Sequence, residues 1–96
     1  MHNICKAVWD AEKARANYRK HHIRFGDAET VFDDPGSLTV EDDRHGEQRF
    51  VTIGADLQGR ILVVVHSYPE GTEDTRLISA RRAMPNERKQ YEQNAK

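Results

Sequence analysis

The stretch Arg60-Ile61-Leu62-Val63-Val64-Val65-His66-Ser67 contains the longest apolar run of the 96-residue chain, from Ile61 to Val65. Three consecutive valines break the alternation of a half-exposed strand. A strand with this pattern is covered on both faces, and β-branched side chains favour the pleated backbone. Residues 60–67 therefore read as a central strand. Turn signals bracket them, Leu57-Gln58-Gly59 before and Pro69-Glu70-Gly71 after. On the N-terminal side, residues 49–55 form a strand with Phe50 and Thr52 facing one way and Val51 and Ile53 the other. On the C-terminal side, residues 76–82 form another. Connections this short join strands antiparallel, since a parallel return needs a crossover of roughly a dozen residues or more.

The N-terminal half has a different rhythm. Residues 4–9 read as a short strand. Asp10 stands where a helix cap belongs, and Ala11–His21 follows as a helix with Ala11, Ala14 and Tyr18 on one face. After Ile23 and Phe25, a shorter helix is expected over residues 27–32. Asp33-Asp34-Pro35-Gly36 stops it, because proline disfavours a helical predecessor. Residues 38–40 begin a β region, and 41–46 read as its loop. Pro85 suits the first turn of a closing helix running to about residue 93. Strand, two helices, three or four strands and a last helix make an α+β chain with a mostly antiparallel meander sheet. One domain over residues 1–96 is expected.

Composition narrows the classes further. Hydrophobic residues make up 36% and charged residues 32%, so the core is thin and the surface heavily charged. Cys5 is the only cysteine, which excludes an internal disulfide or a thiolate metal cluster within the chain. The first residues lack the apolar core of a secretion signal, and no run approaches a membrane span. A cytoplasmic protein without membrane contact is the expectation. The net charge of −1 is unevenly placed. Residues 1–24 carry six Lys/Arg against two acids, residues 27–47 eight acids against Arg44, and residues 60–96 seven Lys/Arg against five acids. The basic ends suit local contact with nucleic acid, or neutralise the acidic middle within the fold.

Short blocks add a signal of another kind. In order they are Trp9-Asp10 before a helix carrying Asn17, Lys20 and His21, then Phe25 with Ala28, Val31-Phe32 and Asp34-Pro35. Glu47 with Arg49-Phe50 follows, then Gly59-Arg60-Ile61-Leu62-Val63-Val64-Val65. Ile78-Ser79-Ala80-Arg81-Arg82-Ala83, Glu87-Arg88 and Tyr91-Glu92 complete the set, which spans roughly residues 8–92. Together they resemble the BrnT family of toxin–antitoxin ribonucleases. The resemblance implies a fold similar to the RelE toxins, with two N-terminal helices against an antiparallel sheet. It also implies RNA cleavage without metal or other cofactor, inhibition of translation, and growth arrest of the bacterium as part of a stress response. A BrnA-like antitoxin would neutralise the chain in a hetero-oligomer, and promoter DNA would be reached only through that complex. One departure is local: His22 stands where family members typically carry glycine.

Cutting RNA without a metal requires a base for the 2′-hydroxyl, an acid for the leaving 5′-oxygen and cations for the crowded phosphate. Arginine suits the phosphate because its planar fork donates paired hydrogen bonds. Arg60 opens the valine-rich strand and Arg81-Arg82 close the next, so hairpin geometry brings them to one edge. Adjacent Arg81 and Arg82 point to opposite faces, so only one joins Arg60 directly. The bland alternative pairs these arginines with the acidic middle segment. His66 lies about 20 Å along the strand from Arg60, at roughly 3.3 Å per residue; Arg49 and Arg76 gather nearer to it. Lys20 and His21 end the first helix, where cations complement the dipole, and can also reach RNA over a sheet edge. Trp9 serves as a core anchor or a base-stacking platform. Tyr91 and Glu87 lie one turn apart on the closing helix, either as a solvated face or as part of the site. Arg60, Arg81, Arg82, His21 and Lys20 are thus the catalytic candidates, with Arg49, Trp9 and Tyr91 as RNA contacts and no metal ligands. Two rival readings stand beside the nuclease: an inactive domain or co-repressor that only binds an antitoxin-like partner, and a DNA-binding regulator. The second lacks a recognisable helix-turn-helix.

Overall fold

The structure, a computed structural model, describes residues 7–43, 46 and 48–94. Its elements are β1 (Ala7–Val8), α1 (Ala11–His21), α2 (Phe25–Ala28), a 3-10 turn (Glu29–Asp33), β2 (Leu38–Asp42), β3 (Arg49–Ala55), β4 (Ile61–Ser67), β5 (Thr75–Arg82) and α3 (Pro85–Asn94). They form one five-stranded sheet in the order β1-β5-β4-β3-β2. Strands β2 to β5 are the expected antiparallel meander, with β4 in the middle. The α+β architecture read from the sequence is the one observed. Strand β1 adds the only parallel pairing among the described residues, with Ala7 opposite Thr75.

Three elements differ from the sequence reading by more than one residue. The first strand is two residues long, and residues 4–6 of the expected one lie outside the described chain. The second helix starts at Phe25 and tightens after Ala28. The buried residues Phe25, Ala28 and Val31 recur every three positions, which matches the three residues per turn of a 3-10 helix. The Thr30 hydroxyl also donates to the Asp27 carbonyl at 2.7 Å, three residues back. Strand β2 runs to Asp42, into the expected loop, because Glu41 and Asp42 still pair with Phe50 and Arg49.

Apolar residues lie on both faces of the sheet. On the helix side, Ile23, Phe25, Ala28 and Val31 cover Leu62, Val64, Leu77 and Ala80. The 3-10 turn crosses β3 so closely that a Cβ at Gly54 would stand 3.0 Å from the Ser37 Cβ and 3.2 Å from the Val31 Cβ. Only glycine fits that crossing. The other face carries Ile53, Val63 and Ala83 with Val51, Ile61 and Tyr91. Helix α3 covers one end of it without burying a residue of its own. Polar anchors hold it there: the Tyr91 hydroxyl donates to Asp34 at 2.7 Å, and Glu87 pairs with Arg81. The rest of this face stays open as a groove.

Asn17 ties α1 to the sheet. Beyond the short β1, no strand of the described residues lies along the edge of β5. There the Asn17 side chain acts as a strand fragment: Nδ2 donates to the Ala80 carbonyl at 2.9 Å, and Oδ1 accepts from the Ala80 amide at 3.0 Å. Nδ2 also donates to the Ile23 carbonyl at 3.1 Å. Helix α1 then ends at His22, whose amide donates to the Tyr18 carbonyl at 2.8 Å. His22 has φ 61, the one positive φ outside glycine among the described residues. The glycine-like turn forms, with an L side chain in the left-handed region. No helix of the described residues is long and apolar enough to cross a membrane.

Candidate functional site

The sheet divides the arginines. Arg82 pairs with Leu62 and Arg81 with Val63, so Arg82 faces the helix side and Arg81 the open face. Arg60, two residues before Leu62, shares the helix side with Arg82. Its guanidinium is already engaged. Nε donates to Asp56 at 2.9 Å, and Nη2 lies 2.8 Å from Asp56 and 3.3 Å from Asp27. The Asp56 carboxylate also accepts from the Gln58 and Arg60 amides. Arg60 therefore closes the β3–β4 turn and ties it to α2. The acidic-partner alternative describes Arg60 well.

Arg81 stands at the edge of the groove on the open face. Val51, Val63, Val65 and Ile78 make an apolar floor, and Asp42, Arg49, Ser79, Arg81 and Glu87 supply polar groups around about 370 Å³. A bulge shapes it. Val65 pairs with Ser79 while His66 pairs with Leu77, leaving Ile78 unpaired, and both Ile78 and Ser79 line the groove. The Arg81 fork is bidentate to Glu87, Nη1 to Oε1 and Nη2 to Oε2, each at 2.8 Å. Glu87 Oε1 also accepts from the Met84 amide at 2.8 Å, as a carboxylate three residues into a helix does. The hydrogen bond to Arg81 outweighs burial and holds Glu87 below the usual carboxylate range; the same bond raises Arg81. Both are charged at neutral pH. A planar cation thus sits oriented beside a carboxylate above an apolar floor.

His21 lies half-buried at the end of α1. Burial first, then the charges of Lys20, Arg81 and His22, holds it below its usual 6.5. It is largely neutral at pH 7 and able to accept a proton. Lys20 is exposed on the same turn. Arg49 lines the groove together with Arg81. Tyr91 packs on the open face, and its hydroxyl is committed to Asp34. Trp9 lies on the helix side, edge-on to Phe25 with centroids 5.9 Å apart.

His66 belongs to the core. It is fully buried, its Nε2 is 2.8 Å from the Thr52 hydroxyl, and Phe32 and Tyr68 meet it edge-on. Burial pushes its pKa down to about 4, so the ring is neutral. Among the described residues, no group of three or more His, Cys, Asp or Glu side chains is placed to hold a metal ion. Sequence reasoning underrated Glu87. Its signal was present in the Met84-Pro85-Asn86-Glu87 spacing of a helix start, six residues after Arg81. Nothing in the local pattern marked the bulge at Ile78.

Comparison with known proteins bears on the fold and the family. A family model described as "Ribonuclease toxin, BrnT, of type II toxin-antitoxin system" matches residues 9–87. The 1.1 Å crystal structure of the Brucella abortus ribonuclease toxin BrnT superposes with a TM-score of 0.66 at 26% identity, covering 84% of this chain and 99% of that one. No curated protein sequence matches significantly.

Proposed function

The chain belongs to the BrnT toxin family, and from that premise we propose that it is an endoribonuclease toxin acting in the open-face groove. One observation carries the reading: Arg81, held bidentately by Glu87, presents a fixed guanidinium beside an apolar floor. RNA laid along the groove stacks a base on the valine floor and sets a phosphate against Arg81 and Arg49. Preorganised donors of this kind stabilise the charge that develops on the phosphoryl oxygens, worth roughly 10²–10³ in rate per donor. The 2′-oxygen attacks phosphorus as its proton leaves, the P–O5′ bond breaks, and the 5′-oxygen regains a proton. Neutral His21 takes the first proton, Lys20 or a water returns one to the 5′-oxygen, and Arg82 assists from the same end of the sheet, while Glu87 keeps Arg81 oriented. Trp9 and Tyr91 lie outside the groove, and Arg60 supports the β3–β4 turn.

In this reading the substrate is cellular RNA, growth inhibition follows from its loss, and a BrnA-like antitoxin silences the chain in a cytoplasmic hetero-oligomer. Promoter DNA is contacted through the antitoxin. A second reading, an inactive domain that only binds the antitoxin, has one observation on its side: the forks of Arg60 and Arg81 are both filled by carboxylates. Incubation of the purified chain with single-stranded RNA in EDTA decides between them. The nuclease reading expects cleavage, with a loss of roughly 100-fold or more for Arg81→Ala. Equal cutting by both proteins, or none by either, defeats it.

A further inference from the structure

On the helix side of the sheet a second cleft, of about 410 Å³, shares no residue with the groove. It lies between Trp9, one flank of α1 and the start of α2. Its volume falls within the roughly 300–1,000 Å³ of sites that hold small organic groups. Arg15, Arg19 and Arg24 line it, and none of its lining residues is acidic. Trp9 and Tyr18 also line it and remain 37% and 39% exposed. Arg15, Tyr18 and Arg19 recur at helical spacings of three and four, so α1 turns one aromatic and two cations to the same side.

Packing alone explains little of this. Trp9 uses one edge on Phe25 and leaves more than a third of its surface open. The Arg24 guanidinium sits 4.4 Å from the Tyr18 ring centroid, which orders both groups at the cleft wall. Arg15 has Glu12 at 3.6 Å, but both side chains are largely exposed, and such pairs contribute little. The cleft offers ring faces and cations, with only Ala14 and Gly26 as further neighbours of Phe25. An amphipathic peptide helix needs a row of aliphatic pockets instead. Exposed rings beside arginines are what single-stranded nucleic acid recognises, through base stacking and paired hydrogen bonds to phosphate.

We propose that this cleft binds single-stranded RNA outside the cleavage groove, one base stacking on Trp9 and Tyr18 and adjoining phosphates meeting Arg15, Arg19 and Arg24. The inference rests on RNA being the substrate and adds a second point of contact that holds it. Gly26 offers a clean perturbation. It lines the cleft in α2, and a Cβ there meets no atom within 4 Å. Gly26→Glu therefore brings a negative charge to the cleft with the core untouched.

The test uses the full chain and a labelled, short, single-stranded 2′-O-methyl oligoribonucleotide, which lacks the attacking hydroxyl and binds without being cut. Trp9 is the sole tryptophan, so its emission reports on the cleft directly. Emission is expected to fall in step with binding followed by anisotropy. Gly26→Glu is expected to weaken binding at least about five-fold, the low end for losing one stacked base. Arg15→Ala with Arg24→Ala is expected to flatten the salt dependence by about 1.4 in log–log slope, the value for two phosphates on a single strand. Saturation with unchanged Trp9 emission, unweakened binding by Gly26→Glu, or no binding at all overturns the proposal. So does a Gly26→Glu chain that keeps RNA and loses an antitoxin-like partner, which would make the cleft a protein-docking site. Cleavage of unmodified RNA is scored in parallel. RNA binding at Trp9 without cleavage sinks the nuclease reading alone, and cleavage with a silent Trp9 sinks the cleft alone.

Discussion

Replacing Asn17 tests how α1 is held on the sheet. Its side-chain amide makes three hydrogen bonds of 2.9–3.1 Å to the backbone of Ala80 and Ile23, all buried. Asn17→Ala removes them together and leaves the Ala80 amide and two carbonyls without that partner. A buried polar group left unpaired costs about 1–3 kcal/mol. Water entering the space vacated by the amide restores part of this, so a net loss of about 3–4 kcal/mol is expected. That is a large share of the roughly 5–15 kcal/mol of a small domain. At about 4–8 °C per kcal/mol, Tm falls by roughly 12–30 °C. Asn17→Asp is a sharper probe. Its carboxylate still accepts from the Ala80 amide but faces the Ala80 and Ile23 carbonyls with no proton to donate, so its loss at pH 7 should exceed that of alanine. Urea unfolding followed by circular dichroism, with linear extrapolation, measures both. A loss under about 1 kcal/mol for Asn17→Ala, or aspartate no worse than alanine, refutes the strand-mimic account.

Further outcomes follow from other contacts. His22→Gly relieves a left-handed backbone costing about 1–2 kcal/mol, offset by about 0.5–1 kcal/mol of extra freedom in the unfolded glycine chain and by loss of the Tyr18 edge contact. A net gain of up to about 1 kcal/mol is expected by urea titration, and a clear loss would count against it. Arg60→Ala strips the cationic partner from the buried Asp56 carboxylate and should cost about 3 kcal/mol of stability, whereas Arg81→Ala breaks a more exposed pair, should lower Tm less, and should cost cleavage as well; Tm and rate measured on both variants separate the two roles. His66 has a folded pKa of about 4 against 6.5 unfolded. Only the unfolded chain takes up its proton between those values, so stability is full above 6.5 and drains as pH falls toward 4. The deficit at pH 5 is about 2 kcal/mol relative to pH 8, and a His66→Gln chain should show that much less acid sensitivity. Glu87 and Asp34 are both held below the usual carboxylate range, Glu87 by Arg81 and Asp34 by the Ala55, Tyr91 and Gly36 donors that outweigh burial. The support they give is present above the unfolded carboxylate pKa of about 4 and is lost as pH falls below it; the protection factors of the α3 amides, taken relative to the intrinsic exchange rate at each pH, should therefore drop in acid.

What the residues state locally could be read without coordinates. The run from Ile61 to Val65 declares a strand covered on both faces, and Val63 and Val64 are 3% and 0% exposed on opposite sides of the sheet. Asp10 announces the start of α1 and accepts from the Lys13 amide at 3.0 Å. The alternation of β3 correctly separates Thr52 from Val51 and Ile53. Ordered blocks from Trp9 to Tyr91 were enough to recognise the family. These signals have periods of two to four residues, so neighbours in sequence carry them.

Tertiary structure decided everything that depends on which distant backbone lies alongside. The parallel docking of β1 on β5 leaves an edge that Asn17 completes, and no pattern around Asn17 foretells a partner 63 residues away. The bulge at Ile78 turns two consecutive residues of β5 toward the groove, against the alternation that sequence reading must assume. The sequence brought Arg60, Arg81 and Arg82 to one end of the sheet. Only the register shows Arg81 on the open face with Glu87, and Arg60 on the helix side bound by Asp56. Local propensity sets which way a strand's side chains alternate; long-range pairing sets which face meets helices and which meets solvent.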